Sequence, residues 1–502
     1  MTRLRIITSC RLPIAATFAA LLLATCSACS QSGGGPTAGA QEPTKGTATT
    51  STSSIAPAEP TSAASLPPDL GTRPAGSDWA AFLGPTGDGK SSEKGLVAPW
   101  PEKGPKLVWQ IPVGIGYGMP AVSRGRLFQF DMHGGKARLA CLKAETAAEL
   151  WKFEYVTDYQ DMYGYDNGPR CQPVVDGDMV YIFGAEGMLH ALRVADGSLV
   201  WKVDTTATFG VVQNFFGVGS TPIVEGNLLL VQVGGSTPET AGGSVPEAKP
   251  SGTGLVAFDK RTGEVKYKVG AELASYASPI TATIAGRRYG FLFARGGLLA
   301  FDPATGRENF HFPWRADTLE SVNASNPVVV GEQVFVSETY GPGSALLKVK
   351  PDGYDIVWSD LKARREKRMQ THWNTAVEVG GYLYGSSGRH TNNAELRCVE
   401  VATGNVMWSE PDLTRSSLTY VDGHFICLTE YGDLILLKVN PQKYDVVSKF
   451  TPLKPDGGLD PTGLGPARLL AYPAWAAPTI AHGLMYVRGK DRLACYEIIP
   501  AK

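Results

Sequence analysis

One hairpin is written again and again along this chain. The segments "ACLKAETAAELWK" (140–152), "HALRVADGSLVWK" (190–202), "VAFDKRTGEVKYK" (256–268), "LAFDPATGRENFH" (299–311) and "RCVEVATGNVMWS" (397–409) share one frame: a strand, a tight turn ending in Thr-Gly or its equivalent, and a strand with an aromatic residue at fixed register. "LLKVKPDGYDIVWS" (346–359) fits with one extra residue, and "LLKVNPQKYDVVSKF" (436–450) is a decayed copy. A second hairpin precedes each copy, as in "PVVDGDMVYIFG", "PIVEGNLLLVQV" and "PVVVGEQVFVSE". Its turn glycines are Gly125, Gly177, Gly226, Gly286, Gly331, Gly381, Gly423 and Gly483, spaced 42 to 60 residues apart. Two hairpins make a four-stranded unit that cannot bury both faces alone, and stacking such units around an axis does.

The count predicts an all-β, eight-bladed β-propeller of four-stranded antiparallel blades. The last unit, "APTIAHGLMYVRGKDRLACYEII", supplies three strands and stops, while "KLVWQIPVG" (106–114) is an aromatic strand with no hairpin before it. Pairing the two closes the ring and removes an open edge. The aromatic register is filled by Trp151, Trp201, Tyr267, Phe310, Trp358 and Trp408, each able to bury about 150–250 Å² between blades. A small residue is expected opposite: Ala191, Ala257 and Ala300, or Cys141, Cys398 and Cys495. Those cysteines therefore read as small buried hydrophobes rather than a disulfide framework. Cys171 and Cys427 have no evident partner.

Ahead of the repeat the composition changes twice. Residues 1–29 carry Arg3, Arg5 and Arg11 before "IAATFAALLLA" and "TCSACS", a lipoprotein-type export signal too short to remain as a span. Cys29 is the expected lipid attachment site, with Cys26 as the alternative. Residues 30–77, rich in Ser, Thr, Pro and Gly, read as a disordered tether. Residues 78–106 form an extension expected to pack on the propeller domain, 107–500. A formal net charge of −1 gives no field for nucleic acid.

The frame A-x-D-x-x-T-G-x-x-x-W resembles the tryptophan-docking repeat of the pyrroloquinoline quinone (PQQ) dehydrogenases and of the BamB-type outer-membrane assembly lipoproteins. "DWAAFLGP", "TDYQDMYGYDNGPR" and "QNFFGVGS" are similar to uncharacterised PQQ-binding-like propellers of planctomycete type. The resemblance implies the propeller fold over about 107–499, an exported protein of the cell envelope, periplasm-facing or on the outer membrane, and envelope proteins as partners. It leaves PQQ with calcium as an alternative, in which the chain is a quinoprotein dehydrogenase. Adjacent cysteines, present in many such enzymes, are absent here.

Local motifs add little catalytic chemistry. "GPTGDGKS" (84–91) satisfies the P-loop pattern, but no apolar strand of adequate length precedes it, and Gly and Pro interrupt the segment after it. The seven histidines never fall at metal-ligand spacing. The basic run Lys362, Arg364, Arg365, Lys367 and Arg368 reads as a solvated loop. Four-stranded blades put their short Gly turns on one face and their long connections on the other, so a binding face is expected on the long-loop side. Its candidates are Tyr163, Tyr165, Asp166 and Arg170 entering the second blade, and Gln213 and Asn214 entering the third. They offer aromatic anchors, amides and an Arg–Asp pair, suited to a protein, peptide or glycan better than to a metal. The expectation is a monomeric, non-enzymatic binding or scaffold module without a cofactor.

Overall fold

A turn repeated at one register explains the architecture. In the computed structural model, which describes residues 66–73, 76–411, 413–460 and 465–501, the Thr-Gly turns share one closure, the glycine N–H returning to the carbonyl four residues earlier. Asp259 Oδ1 accepts the N–H groups of Arg261 and Thr262 at 2.9 and 3.0 Å, and Gly263 N–H closes back onto the Asp259 carbonyl at 2.9 Å. Gly263 has a φ of +74°, the left-handed position of a turn with a bulge. The matching pair in every blade carries that irregularity beside its aromatic register.

The bulge aims the ring at the next blade. Trp151, Trp201, Trp358 and Trp408 each sit opposite the small or aliphatic residue of the adjacent strand: Cys141, Ala191, Leu346 and Cys398. Their indole N–H groups donate to backbone carbonyls one blade further on: Val194, Lys260, Val401 and Asn440, at 2.8 to 3.1 Å. Tyr267 makes the same reach to Pro303, at 2.6 Å. The ring lies on the turn glycine of that blade, so a Cβ on Gly197, Gly263, Gly306 or Gly404 would come within 3.0 Å of it. The glycine thus serves both its own turn and its neighbour's indole.

Among the described residues the strands form eight sheets. Six consist of four consecutive antiparallel strands, from Ala121–Val156 (blade 1) through Val377–Glu410 (blade 6). Blade 7, Ser416–Phe450, gains Lys90–Ser91 as a parallel strand on its innermost edge. Blade 8 is composite: Thr479–Ala481, Leu484–Arg488 and Arg492–Glu497 are completed by Lys106–Pro112. Trp109 there faces Cys495 and donates to the Ala144 carbonyl of blade 1 at 3.0 Å, so the composite blade carries the same lock. All five cysteines within the described residues are buried and free.

Blade 7 lacks its ring, having Ser448 at the register position opposite Leu436. The N-terminal extension compensates. Trp100 is buried among residues of blades 7 and 8, and its backbone N–H donates to Ser448 Oγ at 2.9 Å. The same extension crosses the axis on the Gly-turn side, from an antiparallel bridge between Trp79 and Val122 of blade 1 to the parallel pairing at Lys90–Ser91. Residues 84–91 lie inside this crossing and are followed directly by extended chain rather than a helix, which removes the context a phosphate loop needs. The signal 1–29 with Cys26 and Cys29, and most of 30–77, lie outside the described residues. Among those described, no helix is long and apolar enough to cross a membrane.

The crossing is latched to blade 8 by charge. His482 faces two acceptors, the Asp78 carboxylate at 2.9 Å through Nε2 and the Arg73 carbonyl at 3.0 Å through Nδ1. Only the imidazolium can donate to both. Burial opposes that charge, but the bonds to Asp78 and Arg73 and the nearby carboxylates of Asp78 and Glu93 together raise the pKa. A raised folded pKa gives stability that is complete below the ordinary imidazole value of about 6.5 and is lost as pH rises through the folded value. Thermal melts against pH should therefore show wild type more stable than His482→Gln in mild acid, the gap closing toward alkaline pH. A gap that is constant or widens with pH would reject the latch.

Candidate functional site

Each innermost strand runs from the long-loop face toward the Gly turns, so the residues just before it reach the axis. They surround a pocket of about 620 Å³, within the usual range for ligand sites. Tyr117 and Met119 come from the approach to blade 1, Tyr165 and Arg170 from blade 2, Phe216 from blade 3, and Tyr276 from blade 4. Blade 5 gives Val322, blade 6 His372 to Thr375, blade 7 Arg415, and blade 8 Tyr472 and Trp475. The second-to-third connection of blade 6 adds Arg389 to Asn392. Phe82 and Leu83 of the crossing segment line the inner end, with Leu83 buried against Met119 and Ala476. Leu83 holds a left-handed φ of +60°, a conformation costing about 1–2 kcal/mol for a non-glycine residue. Packing of its side chain in the floor offsets that strain.

Two aromatic arcs form the walls. On one side Trp475 lies 4.9 Å from Tyr117 and 4.7 Å from Trp373, centroid to centroid. At the rim Tyr472 stacks on Tyr431 at 5.2 Å, the planes 29° apart, and both are exposed. On the other side Phe216 packs against Tyr165 and Tyr276 at 5.9 and 5.7 Å.

Three arginines face this space in different electrostatic states. Arg170 donates to the fully buried Asp161 carboxylate at 2.5 Å and lies over Tyr117 and Tyr159. Arg415 bonds Glu430 at 2.6 and 2.9 Å and lies over Trp373 and Trp475. Arg389 is exposed, sits 4.4 Å above the Tyr340 ring, and has no carboxylate partner among the described residues. His372 bonds Tyr340 Oη through Nε2 at 3.1 Å. Burial, then the charges of Arg415 and Arg389, push its pKa down to about 3, so it is neutral at physiological pH. Burial raises Tyr340 to about 12 and Glu338, behind the wall, to about 7.

The residues expected from sequence divide into two groups. Tyr165 and Arg170 line the pocket, and Tyr163 packs just outside it on Phe215 and Phe216. Asp166 instead accepts the N–H groups of Gly116 and Gly168, so the carboxylate that pairs with Arg170 is Asp161. Gln213 donates to the Glu186 carbonyl, and Asn214 bridges Ala274 and Arg295. Both brace their loop rather than face the cavity. Sequence reasoning missed Tyr117, Tyr340, Trp373, Arg389, Arg415, Tyr472 and Trp475. Their common signal is position, since most immediately precede an innermost strand.

A calcium-bound quinone is a poor match to these donors. Calcium takes roughly six to eight oxygen ligands. The one carboxylate lining the pocket, Asp161, is committed to Arg170 and to the N–H groups of Tyr163 and Tyr165. Among the described residues no group of three or more His, Cys, Asp or Glu side chains is placed to hold a metal.

Comparison with known proteins agrees with the fold. BamB of Moraxella catarrhalis superposes with a TM-score of 0.51 at 13% identity, covering 78% of this chain and 97% of that one. Quinohemoprotein alcohol dehydrogenase of Comamonas testosteroni superposes at 0.55 with 11% identity, covering 84% and 80%. No curated protein matches the chain in sequence. The family model described as outer membrane protein assembly factor BamB matches residues 93–236 and 161–410, more than half of the chain. With the docking repeat present in its blades and the ring closed by an N-terminal strand, this chain belongs to the BamB family of PQQ-repeat propellers.

Proposed function

We propose that the protein is a non-enzymatic binding module of the cell envelope, which captures a ligand or a projecting loop of a partner in its central pocket. The observation carrying this reading is the pocket itself: a blind aromatic cavity with exposed tyrosines at its mouth and its buried charges already paired. The family's description, outer membrane protein assembly, supports a periplasmic or outer-membrane location and an envelope protein as partner. Anchoring through lipid on Cys29, or on Cys26, belongs to the same proposal. Cys29→Ala is then expected to move the protein from membrane to soluble fractions, and unchanged membrane association of both Cys29→Ala and Cys26→Ala would reject the anchor.

The geometry selects the variants for testing the pocket. Arg170→Ala would leave Asp161 buried and unpaired, costing about 3–5 kcal/mol, and so confounds binding with folding. Tyr165 and Tyr472 are exposed, and their truncation leaves blade contacts intact. Saturation-transfer NMR against a defined set of saccharides, peptides and quinones should show transfer to one class, lost in Tyr165→Ala with Tyr472→Ala while the Tm stays within a degree or two. Equal transfer to the double variant would place binding elsewhere. Dye reduction on alcohols or sugars after adding PQQ and calcium would replace the binding reading by the dehydrogenase one.

A further inference from the structure

We infer that the pocket takes an acidic saccharide, its sugar rings lying on the rim tyrosines and its single anionic group on Arg389. The inference rests on the binding reading above and adds the ligand's chemical class.

Charge sets the number of anions. Of the four Arg and Asp side chains lining the pocket, Arg170 and Asp161 neutralise each other. Arg415 is neutralised from behind by Glu430. Among the lining arginines Arg389 alone remains uncompensated, with its guanidinium exposed above Tyr340. A planar guanidinium presents paired N–H donors that match a carboxylate or sulfate. His372, edge-on to the Tyr340 ring and held neutral, adds no second positive charge.

The body of the ligand is set by the rings. Tyr472 and Tyr431, stacked with their planes 29° apart, are exposed at the rim, and Tyr165 offers a third exposed ring. The face of an aromatic ring is its negative side, which attracts the weakly positive C–H bonds along the flat face of a pyranose. Next to Arg389 in the chain, the wall carries short polar side chains, Thr391 and Asn392, suited to hydroxyl groups. The buried Nδ1 of His372 has no protein partner, a sign of polar demand in this wall.

The test uses the full chain and tryptophan emission, because Trp373 and Trp475 lie in the wall. Titrants are a trisaccharide carrying one uronate residue, its uncharged methyl ester, and a tyrosine-rich peptide with a free carboxylate terminus. The trisaccharide should give a saturable change, with the ester at least about tenfold weaker through loss of a charge-assisted bond. Arg389→Gln should bring the trisaccharide down to the ester's level, and Tyr472→Ala should weaken both. Equal binding of ester and acid, or no effect of Arg389→Gln, overturns the acidic class. A response to the peptide alone, lost in Arg389→Gln, keeps the pocket reading and overturns the saccharide. Silence toward all three titrants overturns the saccharide inference, while the NMR screen decides the pocket reading separately.

Discussion

Deleting Leu107–Gly114 should abolish cooperative folding. The segment supplies the outermost strand of blade 8, pairing from Lys106↔Glu497 to Pro112↔Arg492. Its removal exposes a row of unpaired N–H and C=O groups on a strand whose inner neighbours are apolar, an edge that invites intermolecular pairing. It also removes Trp109, whose indole N–H reaches the Ala144 carbonyl and whose ring contacts Tyr486 at 5.8 Å. The ring then has no lock between its last and first blades. Size-exclusion chromatography and a thermal melt monitored at the tryptophans are the checks, and a monomer with a wild-type melt would refute closure by this strand.

Trp201→Ala should be a costly truncation of the repeat, about 3–5 kcal/mol. Trp201 is 9% exposed, stacks on Phe258 of the next blade with centroids 6.4 Å apart, and covers Gly263. The Lys260 carbonyl that it bonds also accepts from Tyr181 at 2.9 Å, so it keeps a partner after truncation. The loss is therefore one of packing and cavity more than of an orphaned acceptor. Gly263→Ala offers the reciprocal measurement. Its new Cβ would lie 2.8 Å from the indole and its φ of +74° is strained for alanine. In a double-mutant cycle the clash component should vanish once Trp201 is alanine, leaving only the backbone strain. Additive urea midpoints would show that ring and glycine are not coupled.

Much of this protein was legible in sequence because its architecture is periodic. The spacing of Gly125 through Gly483, the aromatic register and the orphan strand at 106–114 determine blade number, strand direction and the mode of closure, since each depends on local turn chemistry and on side chains one repeat apart. The same periodicity explains the cysteines: Cys141, Cys398 and Cys495 stand where an indole leaves room for a small side chain. The pocket is a different kind of object. Its walls come from loops separated by hundreds of residues, and no local pattern brings Tyr117 to within 4.9 Å of Trp475. Ring closure alone does that. Within one loop the sequence pointed to Tyr165 and Arg170, but it took Asp166 as the arginine's partner where the structure pairs Asp161. That choice depends on which carboxylate the fold buries and which it turns toward the backbone of Gly116 and Gly168. Nor could composition reveal that Trp100 fills the place left by Ser448, or that Phe82 and Leu83 close the channel. Those contacts arise only when a segment with no periodicity of its own is laid across a finished ring.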